Sequence, residues 1–230
     1  MAEAVARSER GERTRQRILD VALDLFRTQG YESTTMRAIA EAAGVAVGNT
    51  YYYFPSKDHL VQAFYERMHV ERVTRSREEL HATHDLRGRL RGAMRARLEV
   101  LRPYHAVSGT LFRTAADPRN PLSPFSAQSG PTRRACVEFW REVIAGSDAR
   151  LPRDVRTSLP HLLWLYELGI VLFWLHDASP DQRRTQDFVD DTIDAIVRLL
   201  PLAGLPGVRS VRTRMLRWVS TLAEVTERRG

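Results

Sequence analysis

The sequence predicts an all-α protein, and three observations carry that reading. Apolar residues recur at three- and four-residue steps in almost every segment, as in Ile18, Ala22, Leu25 and Phe26, in Leu86, Leu90, Met94, Leu98 and Leu101, and in Val208, Val211, Met215, Trp218, Leu222 and Val225. Helix stop and start residues punctuate the pattern, among them Gly30, Thr35, Gly44, Pro55, Ser56 and Pro103. No stretch alternates apolar and polar residues as a half-buried strand would, and there is no internal repeat or low-complexity tract.

Taken in order, the first helix is expected over residues 12–29, stopped by Gly30, whose lack of a Cβ suits a left-handed cap. A short helix at about 36–43 presents Ile39, Ala40 and Ala43, with Thr35 placed to cap it and Gly44 to end it. A second short helix, 47–53, is closed by Phe54-Pro55. Ser56 then caps a long helix that reads Leu60, Val61, Phe64, Met68 and runs to about residue 80. Beyond the Leu86–Leu101 stripe, Tyr104, Val107, Leu111 and Ala115 form another. Residues 117–131 hold four prolines without periodicity and read as a loop, of a length that points to function or mobility. Helices at about 132–146, 154–177, 181–200 and 206–228 complete the chain.

The run 162–175 is apolar on every side, with Glu167 its one charge. Its fourteen residues fall short of the roughly 20 that a bilayer requires, so it is expected to be buried between its own core and a partner subunit. The following helix sets Phe188, Thr192, Ile193, Ile196 and Leu200 against Asp190, Asp191 and Asp194.

With 230 residues, 43% hydrophobic and 27% charged, the chain has the composition of an ordinary soluble protein with a real core. The first twelve residues mix small and charged side chains without an apolar stretch, so no signal peptide is expected. One cysteine, Cys136, excludes an intramolecular disulfide framework, and near Phe139 and Trp140 it reads as a helix residue. The net charge is +7, but residues 1–60 balance eight basic groups with eight acidic ones, and 154–194 hold eight acids, so a basic total is a weak argument for nucleic acid. Arg7, Arg10, Arg13, Arg15 and Arg17 crowd the N-terminal approach, which reads more readily as a solvated face than as a DNA arm. Lys57 is the only lysine.

Two short helices joined at Gly44 and braced by a preceding amphipathic helix are what a helix-turn-helix requires. The second carries Val47, Gly48, Asn49, Thr50, Tyr51, Tyr52 and Tyr53. Three consecutive tyrosines fan over most of a helix circumference, so they cannot all be core. Asn49 has the amide that bridges adenine in a major groove, and tyrosine hydroxyls bond phosphates.

Residues 13–64 resemble the N-terminal domain of the TetR family of repressors. The resemblance rests on the helix ending in Phe26 and Gly30-Tyr31, on Thr34-Thr35-Met36-Arg37-Ala38-Ile39-Ala40, on Gly44-Val45, on the run Gly48 to Phe54, and on Ser56-Lys57. It implies a homodimer, an all-α effector-binding domain after the motif, and release of DNA when a small molecule binds. It also implies that Thr35 and Arg37 touch the DNA backbone or a guanine, that Val47, Asn49 and Tyr52 face base edges, and that Tyr51, Tyr53 and Lys57 hold phosphates. Three positions depart from the family pattern: Ala46 stands where a capping serine is usual, Thr50 where a core leucine is, and His59 where a glutamate would complete a capping box with Ser56.

Other constellations read as structural. His81, His84 and Asp85 have a spacing that could hold a metal but no further ligand nearby, and His176-Asp177 closes the apolar helix without an identifiable nucleophile. The expected organisation is therefore a flexible arm at 1–11, a DNA-binding domain at 12–60, and a helical effector-binding and dimerisation domain at 61–230. The expected function is a cytoplasmic, ligand-responsive transcriptional repressor, a homodimer on palindromic double-stranded operator DNA, with no cofactor, metal, catalytic residue or membrane partner. A small, largely apolar effector is expected in a pocket drawn from Met68, Met94, Leu98, Phe112, Phe139, Trp140 and Trp164, gated by the 117–131 loop. A helical enzyme with a motif-like segment lacks a nucleophile–base pair, and a DNA-binding protein without an effector site would not need so large an apolar second domain.

Overall fold

A computed structural model describes residues 2–117 and 119–204, together with positions 214 and 217. The helices are α1 (Ala2–Gln29), α2 (Met36–Ala42), α3 (Val47–Tyr53), α4 (Lys57–Ala82), α5 (Leu86–Leu101), α6 (His105–Ala115), α7 (Gly130–Ala145), α8 (Arg153–His176) and α9 (Arg183–Leu199). Among the described residues there is no strand. The helix expected at 206–228 lies outside the described residues but for two positions. Residues 2–11, expected as an arm, form the first turns of α1.

The chain groups into two compact units. The first comprises residues up to Arg67 together with Tyr104–Ser123, so α6 belongs with the N-terminal helices and not with the second domain as the sequence implied. Helix α4 contributes to both units, the first taking it up to Arg67 and the second from Met68.

In the first unit Ile18, Leu19, Ala22 and Phe26 of α1, Ile39 and Ala40 of α2, Leu60, Val61 and Phe64 of α4 and Leu111 of α6 are buried together with Phe54. Glycine ends α1: Gly30 takes a φ of 86°, its N–H donates to Phe26 O at 3.1 Å, and Thr34 Oγ1 donates to Gly30 O at 2.8 Å. Helix α2 closes in the same way. Gly44 adopts a φ of 63°, its N–H donates to Glu41 O at 3.0 Å, and Val45 N–H reaches back to Ala40 O at 3.0 Å. This paired cap satisfies the last carbonyls of α2 and fixes the turn into α3.

The second unit wraps α8 with α4, α5, α7 and α9. Leu90 and Met94 of α5, Val137, Trp140 and Val143 of α7, Leu163 and Ile170 of α8 and Ile193 of α9 form one buried cluster. Helix α8 has 24 residues, long and apolar enough by length and composition to cross a membrane, but its Leu159, Leu163, Glu167, Ile170 and Trp174 are packed inside this unit. At its end Asp177 accepts four hydrogen bonds, from Ser179 N and Oγ at 2.9 and 2.6 Å and from Thr185 N and Oγ1 at 2.8 and 2.7 Å. The Ser179 hydroxyl is the foremost of the donors that hold its carboxyl well below the usual range. The bend into α9 places Asp181 and Gln182 at φ of 53° and 50°, left-handed values unusual for side-chain-bearing residues.

Within the segment expected as a loop, residues 119–129 run through hydrogen-bonded turns and α7 already begins at Gly130. Asn120 Oδ1 accepts from the N–H of buried Leu122 at 2.9 Å, and the Arg133 guanidinium donates to Pro124 O at 2.7 Å and Ser126 O at 3.1 Å.

Arg89 of α5, 7% exposed, serves the carboxyl ends of two helices. Its Nε donates to Val143 O at 2.7 Å and its Nη2 to Glu142 O at 3.4 Å at the end of α7. Its Nη1 donates to Leu80 O and, at 3.1 Å, to Thr83 O at the end of α4. Gly146 leaves room for it, since a Cβ there would collide with Nη2. Replacement of Arg89 by Met should deprive the Val143, Leu80 and Thr83 carbonyls of this donor, each worth ~1–3 kcal/mol when buried, while Glu142 O keeps the Gly146 N–H at 3.0 Å. Urea denaturation is expected to show a loss of about 3 kcal/mol, and a loss below about 1 kcal/mol would mean that water or neighbouring donors replace it.

Candidate nucleic-acid interface and effector unit

The surface of the first unit is set by how α3 is anchored. Thr50 is fully buried in α3 and Phe54 follows it into the core, so the remaining positions turn outward. Val47, Asn49 and Tyr51 are exposed, and Tyr52 is 81% exposed. Tyr53 is half-buried, its ring edge-on to Tyr52 with centroids 5.2 Å apart. None of the three tyrosines belongs to the core. Ala46 precedes α3 without a side-chain cap, as its lack of a hydroxyl requires. Thr50, where leucine is usual, leaves its Oγ1 buried with no partner among the described residues.

Thr35 caps α2, its Oγ1 accepting from Ala38 N at 3.1 Å, which leaves the hydroxyl proton for an outside acceptor. Arg37 is exposed in the first turn of α2. Lys57, at the start of α4, donates from Nζ to Tyr31 O at 2.7 Å and Glu32 O at 3.2 Å, and stands 4.5 Å from the Tyr31 ring centroid. One of its three N–H donors remains. The Tyr31 hydroxyl donates to Asp58, and burial, reinforced by that carboxylate, pushes its phenol above the usual range. Ser56 Oγ lies 2.9 Å from His59 Nδ1, a contact between the two side chains in place of the backbone bond that a capping-box glutamate makes. Arg15 of α1, which nothing in the sequence sets apart from its neighbours, lies 5.1 Å over the Phe54 ring and holds α1 against the end of α3.

In the second unit two of the aromatic residues expected to line a pocket, Phe139 and Trp140, border a buried ion pair. Met94, Phe139, Trp140 and Trp164 are all buried in the core cluster, with Leu98 packed beside it. Met68 is buried, and Phe112 falls in the first unit. A cleft of about 130 Å³ opens elsewhere in this unit, lined by Arg91, Leu98, Trp174, Gln182, Val189 and Asp190 among others.

Glu167 is 2% exposed and fully partnered. Arg72 Nη1 lies 2.6 Å from its Oε2, Arg97 Nε 2.9 Å from its Oε1, and Trp140 Nε1 donates to Oε2 at 2.8 Å. Burial alone would raise the Glu167 carboxyl, but the two guanidiniums and the indole bring it below its ordinary range. Arg72 stacks on Phe139, 4.2 Å from the ring centroid, and its Nη2 sits 3.1 Å from His69 Nδ1. The thiol of Cys136 lies 3.7 Å from the same nitrogen and is pushed up by burial. The sequence signal for this network was Glu167 itself, since a buried carboxylate demands buried cations. His84 contacts Gly146 O at 3.0 Å and Asp85 caps α5 through Gly88 N at 2.8 Å. No group of three or more His, Cys, Asp or Glu placed for a metal occurs among the described residues.

Burial, reinforced by the Arg72 guanidinium, pushes the His69 imidazole from 6.5 down to about 4. Between these values the unfolded chain takes up a proton that the folded chain refuses, so stability should fall as pH is lowered through that window. Chemical denaturation across the range is expected to show a shallower decline for His69→Gln than for the unmodified chain. Identical pH profiles would refute the half-buried neutral imidazole.

The family model for bacterial regulatory proteins of the tetR family matches residues 18–64, and the model for the tetracyclin repressor-like C-terminal domain matches residues 89–212. The HTH-type transcriptional repressor KstR of Mycolicibacterium smegmatis is 49% identical over 61 residues, 26% of this chain and 30% of the relative. The HTH-type transcriptional regulator AcrR of Shigella flexneri is 47% identical over 58 residues, 25% of this chain and 27% of its own length. These matches thus span about 30% or less of the curated relatives. A solved TetR-family regulator from Syntrophomonas wolfei superposes with a TM-score of 0.66 at 22% identity, over 85% of this chain and 98% of that one. The fatty acid degradation regulator FadR of Bacillus halodurans does so with a TM-score of 0.61 at 18% identity, over 78% and 94%. Two family models that together take in the helix-turn-helix and more than half of the chain make this protein a member of the TetR family of transcriptional regulators.

Proposed function

We propose that the chain is a ligand-responsive repressor that binds a palindromic operator as a homodimer in the cytoplasm and acts without catalysis. The observation that carries the reading is α3, which buries Thr50 while directing Val47, Asn49, Tyr51 and Tyr52 to solvent. In this reading Val47, Asn49 and Tyr52 face base edges, while Thr35, Arg37, Tyr51, Tyr53 and Lys57 hold the backbone. Selection from a random duplex library should enrich a palindrome whose half-sites lie about one helical turn apart. Asn49→Ala should then cost about 1–3 kcal/mol on that site and relax preference at one base pair per half-site. Enrichment of no palindrome, or an unaltered preference in the variant, would count against the assignment.

The effector reading rests on the second unit. Helix α4 enters it carrying His69 and Arg72, which meet the Glu167 network beside Phe139 and Trp140. A largely apolar molecule that separated Arg72 from Glu167 would act on the same helix whose first residues carry Lys57, and in that way bias DNA binding.

Dimerisation is assigned to α8 and α9. Leu162, Leu172 and Phe173 of α8 and Phe188 and Leu199 of α9 are each 37–61% exposed, a large apolar face for a soluble chain. Phe173 and Phe188 stack with centroids 4.9 Å apart, and Gly169, exposed on the same side of α8, leaves open space for a partner helix. Ile193, by contrast, is 1% exposed in the core, so a charge there would report on folding rather than association. Sedimentation should show a dimer for the unmodified chain at micromolar concentration and a folded monomer for Phe173→Glu or Phe188→Glu. A monomeric unmodified chain would overturn the assignment.

A further inference from the structure

Helix α1 carries three arginines whose charge nothing in the described structure neutralises. Arg10, Arg13 and Arg17 are exposed and lie along one side of the helix at steps of three and four residues. Among the described residues their guanidiniums make no ion pair or hydrogen bond. Neighbouring charges are engaged: Glu12 takes Arg15 at 3.7 Å and Gln16 at 2.7 Å, Asp20 takes Arg67 at 2.6 Å, and Asp24 takes Arg27 at 2.6 Å. Glu9, also exposed, is the carboxylate of this stretch with no such partner among the described residues. Like charges three and four residues apart on one helix repel, an arrangement that a polyanion relieves.

The same turns of α1 lie against the end of α3. A Cβ on Gly11 would stand 3.5 Å from Tyr53 Oη, and Arg15 covers Phe54. At about 100° per residue Arg10, Arg13 and Arg17 project from the side of α1 turned away from Gly11 and Arg15, so the stripe is a surface separate from the exposed tyrosines. From Arg10 to Arg17 the helix rises about 10 Å at 1.5 Å per residue, close to the axial rise of three nucleotides on one DNA strand.

We propose that Arg10, Arg13 and Arg17 form a second DNA contact surface that grips backbone phosphates beyond the reach of the helix-turn-helix. The inference rests on the DNA-binding reading above and extends its footprint. Guanidiniums bind phosphate oxygens in paired hydrogen bonds and read no base, so the stripe adds affinity without sequence preference.

The test compares the full chain with the triple variant Arg10→Gln, Arg13→Gln, Arg17→Gln, using fluorescence anisotropy over a range of salt. The probes are two labelled duplexes of about thirty base pairs with unrelated random sequences, on which binding is dominated by phosphates. Every phosphate that the variant leaves without its arginine should lower the slope of log affinity against log salt by about 0.9, a total of about two to three per chain bound. Affinity should fall by the same factor on both duplexes. Arg27→Gln, an exposed arginine at the far end of α1 already engaged by Asp24, should leave the slope unchanged. A triple variant that melts like the unmodified chain and keeps its slope overturns the stripe while leaving the helix-turn-helix reading intact. An equal loss of slope in Arg27→Gln would reduce the effect to net charge and overturn it too. An unmodified chain that binds neither duplex even at low salt overturns the DNA reading and the stripe with it.

Discussion

A carboxylate in an apolar helix is the constraint on which the second unit is built. Glu167 could not be ionised inside α8 without partners, because transfer of a bare charge out of water costs far more than any single side chain's packing returns. Its partners come from three directions: Arg72 on α4, Arg97 on α5 and Trp140 on α7. One side chain thus sets the rotation of four helices about their own axes. Apolar packing alone tolerates several registers of Leu against Leu, whereas this set of donors fits one. The attraction within such a network is largely offset by the desolvation of its charges, so it adds little net stability. The depressed basicity of His69 belongs to the same arrangement, since a second cation beside Arg72 would find no further carboxylate.

The first unit is held by shorter-range means. Its turns are closed by glycines at positive φ and by the Thr35 cap, and its longer-range polar ties include Lys57 on the Tyr31 and Glu32 carbonyls, the Tyr31 hydroxyl on Asp58, and Arg67 on Asp20 and Tyr104. That contrast explains what could be read from the chain alone. Helix α3 spans 47–53, as expected, because Gly44 and Pro55 bracket it locally. Thr35 caps α2 for the same reason. The periods that located α5, α8 and α9 are likewise properties of nearby residues.

What the sequence concealed was long-range. Arginine supplies all but one of the 35 basic residues, so Arg72, Arg89 and Arg97 look no different from surface arginines until the fold brings Glu167 and the helix-end carbonyls to them. Phe139, Trp140 and Trp164, expected as pocket lining, are buried in the core cluster, and nothing in their spacing announced the ionic network that Phe139 and Trp140 meet there. The assignment of α6 to the first unit was equally hidden, because amphipathic spacing says which face is buried and not against which helix. Helix α8, Arg153–His176, falls at the expected 154–177, because polar residues carry it past the apolar run on both sides.

The bend between α8 and α9 bears on how two chains would find one another. Asp177 ties the bend to the start of α9 through two hydrogen bonds from Ser179 and two from Thr185, and Asp181 and Gln182 hold left-handed backbone conformations within that bend. Phe173 and Phe188 are consequently stacked within a single chain before any partner arrives. For the proposed dimer this means that the hairpin is preorganised: little conformational entropy remains to be lost on encounter, and association is governed by diffusion, orientation and the expulsion of water from the apolar face rather than by a folding step.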